Sequence, residues 1–337
     1  MLTPIKATYR AALIVVALTF FLNLMSRLGD TFAVFLLPIA SEFQWNRATL
    51  STIYGLYMGA HGVSGILVGW LVDRLGPRPV YVLGLLLYSA AFFLAQFATA
   101  PWHLFMTTGV VAGVAMTSIG MTTATVLLAA WYSGELERWR PMAISVTYAG
   151  LGAGVILWVP IAHLLIEHSG WRTAYLWLGI TTLSLTGIVY VLPWDRLTRP
   201  LLESKEKTHS PIRLDRKAIL IIVGQPTFRA LFGVLFLTAI AIYAISPQLV
   251  AYLVASGFGK TIATMAYSVA GMMALFGIAT TGWLVSRFGS RRVATVSYAM
   301  TIVGLLGLSL LMHSPHLILL CAAILPFGLS QGSRGPI

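Results

Sequence analysis

The sequence predicts an all-α polytopic membrane protein made of two pseudo-symmetric helical bundles, and three observations carry that prediction. The 337 residues are 58% hydrophobic and only 9% charged, which is too little polar surface to cover a water-soluble globule. Apolar runs recur at short intervals, each with the roughly 20 residues a helix needs to cross a hydrocarbon core of about 30 Å. A segment of the first half, Gly69 to Val80, is nearly repeated in the second.

Ten spans are expected, in order. The first, Ala11 to Pro38, follows a short basic stretch and so resembles a signal peptide. Its length and its charges Arg27 and Asp30 mark it instead as a retained helix. The second and third, Leu50 to Val72 and Val80 to Thr99, flank a charged turn. The fourth, fifth and sixth, Trp102 to Trp131, Met142 to Ile166 and Thr173 to Pro193, complete an N-terminal bundle over residues 1–193. Residues 194–227 are the longest polar stretch and hold eleven charged side chains, as expected of a cytoplasmic linker. Residues 228–337 form the C-terminal bundle. Its spans are the seventh to tenth: Ala230 to Ala255, Ile262 to Val285, Val293 to Met312, and His316 onward.

Charge orients these spans. The net charge of +12 could suggest nucleic acid, but the basic residues sort by loop. With the N-terminus inside, seventeen of the 22 fall on the cytoplasmic side, whereas only Arg47, Arg172 and Lys260 fall outside. That asymmetry is the positive-inside bias. Cys321 has no partner cysteine, so neither a disulfide framework nor a thiolate metal site is available.

The repeat defines the halves. Gly69, Asp73, Arg74, Gly76 and Arg78 recur 213 residues later as Gly282, Ser286, Arg287, Gly289 and Arg291, each set at the cytoplasmic end of the second helix of its half. By that offset the second half should run to about residue 406. The chain is therefore expected to stop in its tenth helix, with an eleventh and twelfth still to come.

The pattern Gly-x-Leu-x-Asp-Arg-x-Gly-x-Arg, from Gly69 to Arg78, resembles the signature loop of the major facilitator superfamily. The resemblance implies the major facilitator fold, two six-helix bundles that rock about a central site and open it to each membrane face in turn. Gly69 would let helices approach closely and Gly76 would make a tight turn. Asp73 is placed to pair across the bundle interface in one state and to lose those partners in the other. The plainer reading is a turn whose charges only mark the cytoplasmic face.

A closer resemblance lies in Gly29 to Phe35 followed by Leu37 and Pro38, Glu42 to Ala48, Ser169 to Arg172, and Gly328 to Pro336. These are similar to bacterial members of the monocarboxylate and oxalate/formate porter branch. That implies a small organic acid as substrate. One departure stands out: animal monocarboxylate porters carry an aspartate and an arginine in the eighth helix where this chain has Ala274 and Ile278.

Charge inside a membrane costs about 2.5–3.5 kcal/mol at a helix centre, so Arg27 and Asp30 need partners or a wet cavity. Asn23, Arg27 and Asp30 fall on one helical face. Either Arg27 receives a substrate carboxylate through its planar fork, or Arg27 and Asp30 form a structural pair. On the second span Tyr54, Tyr57 and His61 share a face. His61 is the candidate proton-responsive group among the seven histidines, against the plainer reading of a satisfied polar group between helices. Asp30 is the second coupling candidate. Trp158, Tyr243 and Arg334 complete the candidate substrate contacts, with Phe35 as a further aromatic that either lines a cavity or packs in the core. On the fifth span, Gly150, Gly152 and Gly154 precede Pro160, which reads either as a flexing helix or as dense packing.

No nucleotide loop, zinc motif, paired cysteines or nucleophile elbow is found, and no cofactor is implied. A membrane enzyme would need clustered His, Asp or Glu at one face, which the sequence lacks. The expected function is a secondary carrier of a small organic anion in the inner membrane. Its expected partners are a small-molecule substrate and the lipid bilayer, with no nucleic acid, and the protein is expected to be a monomer. The alternatives are a proton-linked exporter of amphiphilic drugs and a solute sensor on the same scaffold.

Overall fold

The structure is a computed structural model that describes residues 4–207, 221–245 and 249–333. Those residues hold helices and no strands. Seven stretches among them are long and apolar enough to cross a membrane. One of these, Gly134–Val191, contains both the fifth and sixth spans. The seventh and tenth spans appear as the shorter apolar helices Pro226–Ile240 and Leu317–Gly332. The chain divides into two compact units, the first mainly the residues up to Glu203, with Gly282–Arg287 grouped with it, and the second mainly the residues from Ser204 onward.

In the first unit the spans are less regular than their hydropathy suggests. The first span is not one helix. It runs as an α-helix over Pro4–Ser26, tightens to a 3-10 turn over Arg27–Thr31, and resumes as Phe32–Phe43. Pro38 lies inside that last piece rather than ending it. The helix closes at Gln44, whose left-handed φ of 56° lets its N–H reach the Ala40 carbonyl. The second span starts at an Asn46 cap, whose Oδ1 accepts from the Thr49 N–H at 2.8 Å, and it ends at Leu75.

The fourth span is also interrupted. A π-helical stretch, Phe105–Val111, precedes Ala112–Ile119, and the extended backbone of Gly120 (ψ −156°) separates that helix from Met121–Trp131. Between the fifth and sixth spans there is no loop. A single glycine, Gly170 (φ 81°, ψ 161°), reverses the chain within Arg140–Val191.

The charged turn after the second span is built the same way in both halves. Gly76 (φ 86°, ψ 172°) joins Arg47–Leu75 to Pro77–Ala95, and Gly289 (φ 82°, ψ 150°) joins Lys260–Phe288 to Ser290–Leu311. Both lie at positive φ, where a side chain would clash with its own backbone. Arg74 lies over the Trp70 ring at 5.1 Å and Arg287 over Trp283 at 5.4 Å, so the copies share a cation–π contact as well.

The core of the first unit is aromatic. Phe35 stacks on Tyr175 with centroids 3.9 Å apart, and Phe92 and Tyr88 extend the stack. Phe35 is therefore a core ring. The start of the linker belongs to this unit too. Trp194 is buried with its Nε1 donating to the Val189 carbonyl, and Trp131 donates to the Leu197 carbonyl. These two indole hydrogen bonds fold the chain back against the bundle before the charged stretch begins.

In the second unit, small residues set the packing. Gly304 and Gly307 of the ninth span sit against Phe327 and Ala323 of the tenth, and Gly328 and Gly332 sit against Ala270 and Ala274 of the eighth.

Candidate functional site

The 3-10 turn in the first span brings the candidate residues Arg27 and Asp30 together. At three residues per turn, side chains at i and i+3 lie one above the other. Arg27 Nη1 accordingly donates to Asp30 Oδ2 at 3.0 Å, with the two side chains only 20% and 13% exposed. Asn23 comes one turn earlier, fully buried, with Nδ2 donating to the Thr19 carbonyl.

Two neighbouring elements hold this turn in place. A 3-10 turn moves each N–H from the fourth to the third carbonyl back, so a carbonyl at its start needs a new donor. Tyr88 of the third span supplies it, donating to the Ser26 carbonyl at 2.6 Å. Its one proton is thereby committed, so the 3.2 Å contact with Tyr57 is a donation from Tyr57 to Tyr88. Tyr57 also fills the space beside Gly29, where any Cβ would collide with its ring. From the other side the fifth span presents Gly150 against Phe20 and Asn23, and Gly154 against Leu24 and Arg27. Trp158 is one turn further along that face.

Within this cluster Asn23 Oδ1, Asp30 Oδ1 and Trp158 Nε1 are buried without a hydrogen-bond partner among the described residues. Each such group costs about 1–3 kcal/mol. Two acceptors and a donor near one cation are what a small polar solute could satisfy.

His61 forms a second polar set in the same bundle. Its Nδ1 is 2.8 Å from Thr117 Oγ1 of the fourth span, and that hydroxyl also meets Ser64 Oγ at 2.7 Å, the His61 carbonyl at 2.9 Å and the Gly113 carbonyl at 3.1 Å. Gly113 fits closely against Tyr57 and Ala60, which brings Thr117 to His61.

The remaining candidates are dispersed. Arg334 and the side chain of Tyr243 lie outside the described residues. In the signature loop, Gly69 has nothing within 4 Å of where a Cβ would stand, so the close approach expected of it is not seen. A tight turn at Gly76 is present, and its backbone sign demands glycine. Arg78 is tied within its own bundle, donating to the Tyr190 carbonyl at 3.1 Å and covering the Tyr190 ring at 4.7 Å. Asp73 is exposed at the helix end.

Sequence reading missed Tyr88, Thr117 and Ser64, because a hydroxyl in an apolar run carries no pattern of its own. It also missed the clasp on the expected outer side. There Glu42 accepts from Trp171 Nε1 at 2.6 Å and pairs with Arg172, and Arg172 in turn donates to the Ala98 carbonyl at 3.2 Å and covers the Trp171 ring at 4.1 Å. Hydrogen bonds from Arg172 and then from Trp171 hold the Glu42 carboxyl below its usual range.

The sequence model of the Major Facilitator Superfamily matches residues 18–336. The chain belongs to that superfamily. YcxA of Bacillus subtilis, an uncharacterized MFS-type transporter, is 27% identical over 158 residues, covering 46% of this chain and 37% of that protein. Monocarboxylate transporter 6 of Mus musculus is 33% identical over 148 residues, 43% of this chain and 30% of the relative. Monocarboxylate transporter 13 of Rattus norvegicus is 25% identical over 268 residues, 75% of this chain and 56% of the relative. The chain thus spans only part of the length of these relatives. Among solved structures, the major facilitator proton:xylose symporter XylE bound to 6-bromo-6-deoxy-D-glucose superposes with a TM-score of 0.72, over 98% of this chain and 81% of the other. At 14% identity that likeness is one of fold. The superfamily's signature loop is therefore built twice here on one backbone turn, at Gly76 and at Gly289.

Proposed function

We propose that this protein is a secondary active carrier, monomeric and with its N-terminus inside, that moves a small organic anion of the monocarboxylate kind across the cytoplasmic membrane of a bacterium. Movement is coupled to protons or to exchange, by alternating access, with the signature loops at Gly76 and Gly289 taking part in the switch. The observation that carries the reading is the Arg27 guanidinium, paired with Asp30 at a break in a membrane helix and lying beside buried polar atoms that have no hydrogen-bond partner among the described residues. Such a planar fork accepts a carboxylate with two parallel hydrogen bonds, and intramembrane charge generally marks a solute path. The names of the monocarboxylate relatives point to the same solute class.

The test is uptake of a labelled panel of small carboxylates, with and without a protonophore, by cells expressing the full gene or its Arg27→Gln variant. Protonophore-sensitive uptake in the wild type, and its loss in a variant that still reaches the membrane, is the expected result. If no carboxylate enters and the cells instead gain resistance to lipophilic cations, the anion reading fails. Asp30, whose Oδ1 is buried without a partner among the described residues, is then the residue to study, as the acid of a proton-linked exporter.

A further inference from the structure

Between the first and fifth spans, at the end expected to face the cytoplasm, the first unit has a cleft of about 410 Å³. None of the candidate solute contacts is among the residues that line it. Its shape follows from helix periodicity. Tyr9, Ala12, Leu13 and Val16 stand at i, i+3, i+4 and i+7 and so face one way, Ala143 and Val146 do the same on the fifth span, and Leu136 of the 3-10 turn Gly134–Trp139 closes one side. Ala12, Val16, Leu136 and Ala143 are buried and make an apolar floor, where the two alanines leave the space open. Such a floor gives a water few of the two to four hydrogen bonds it needs, so an apolar chain suits it better.

The mouth differs from the floor. Tyr9 and Trp139 are exposed there, amphipathic rings of the kind that settle at the level of lipid headgroups. Arg138 is the one charged residue of the lining, and its guanidinium lies 5.4 Å from the Trp139 ring centre, with no hydrogen bond or ion pair among the described residues. Other arginines of this unit are engaged: Arg27 by Asp30, Arg78 by the Tyr190 carbonyl and Arg172 by Glu42. Arg10 and Arg140 are exposed on the two helices that flank the cleft, whereas Glu135 and Glu137 of the neighbouring turn are not part of its lining.

We propose that this cleft seats one anionic phospholipid of the adjoining leaflet, with its phosphodiester on Arg138 and an acyl chain along the alanine floor. The fork of an arginine receives phosphate oxygens in parallel hydrogen bonds, and basic pockets between membrane helices are where such headgroups are held. A soluble anion would engage Arg138 and leave the floor empty. An apolar chain alone would fill the floor and leave the cation bare. A phospholipid uses both, and a lining with one cation and no acid favours a headgroup of net negative charge over one that brings its own ammonium. The site goes beyond the carrier reading, since it is the same whichever solute the protein moves.

The experiment reads the thermal midpoint of the full protein, stripped of lipid in a neutral detergent. Phosphatidylglycerol, phosphatidylcholine of the same acyl chains, or glycerol 1-phosphate is then added. A ligand held by the folded state raises the midpoint, and phosphatidylglycerol is expected to raise it well above the other two. Arg138→Gln, at an exposed position, is expected to fold normally and to bring phosphatidylglycerol down to the level of phosphatidylcholine. Arg292→Gln, exposed in the second unit, is expected to keep the wild-type pattern. Val146→Phe, which fills the cleft from an exposed wall, is expected to lose the gain from phosphatidylglycerol; if its midpoint without lipid has already fallen, the Arg138 comparison decides alone. Equal gains from the two lipids, or from glycerol 1-phosphate, overturn the proposal. No gain from any of them means that the protein itself fills the cleft, and overturns it too. Arg138→Gln that behaves like the wild type, or like Arg292→Gln, places the lipid elsewhere, as does a folded Val146→Phe with the full gain.

Discussion

Tyr88 has a heavier duty than Tyr57, although their hydroxyls touch. Tyr88 is the donor that completes the Ser26 carbonyl, whereas Tyr57 donates only to a hydroxyl already occupied as a donor. Removing Tyr88's oxygen leaves two buried groups short of a partner, and removing Tyr57's leaves a lone pair. We therefore expect Tyr88→Phe to cost about 1–3 kcal/mol of stability and Tyr57→Phe distinctly less, read as the order of thermal midpoints in detergent. Equal losses would mean that the tyrosine pair does not brace the 3-10 turn. These residues also show where sequence reading of the site stops. Arg27, Asp30 and His61 are visible because ionisable groups are conspicuous among apolar ones. Their supports are hydroxyls on other helices, and which hydroxyl meets which carbonyl depends on register that no single span encodes.

At the level of the helix, glycines divide into seats and spares. Gly150 and Gly154 are seats, since any Cβ there would collide with the Phe20 or Leu24 carbonyl. Gly150→Ala and Gly154→Ala should force the first and fifth spans apart at a cost of about 1–3 kcal/mol. Gly65→Ala meets nothing within 4 Å and should be neutral to slightly stabilising, in the same thermal assay. The clasp, in which Arg172 of the sixth span meets Glu42 of the first and the Ala98 carbonyl of the third, has its own pH signature. Its carboxyl is depressed in the folded protein from an ordinary value of 4.5. The clasp therefore contributes fully above that ordinary value, and its contribution disappears as the pH falls through the lower folded value. Both partners are about 40% exposed, so solvent keeps the effect small. Wild type and Glu42→Gln should differ in thermal midpoint at neutral pH and converge in acid; a gap that persists in strong acid would assign the difference to packing. Span positions were legible because length and hydropathy suffice to find them. The break at Arg27–Thr31 was not, because Tyr88 of another helix supplies the donor there; at Phe105–Val111 and Gly120 the side-chain hydrogen bonds are local, from Thr107, Thr108 and Thr123, and threonines in an apolar run carry no hydropathy signal of a break.

For the whole molecule, orientation is the expectation most easily measured. With Cys321 replaced by serine, Thr99→Cys should react with an impermeant maleimide on intact cells, and Asp195→Cys only after the membrane is opened. The reverse pattern would invert the topology inferred from the basic loops. The same basic loops contain the two copies of the signature turn. Each has its positive-φ glycine, at Gly76 and Gly289, and its arginine above a tryptophan, whereas the aspartate at position 73 is matched by a serine at 286. The bend of the main chain and the cation beside it are thus common to both halves, while the acidic charge at this position belongs to one half alone, so any latch that uses it is asymmetric.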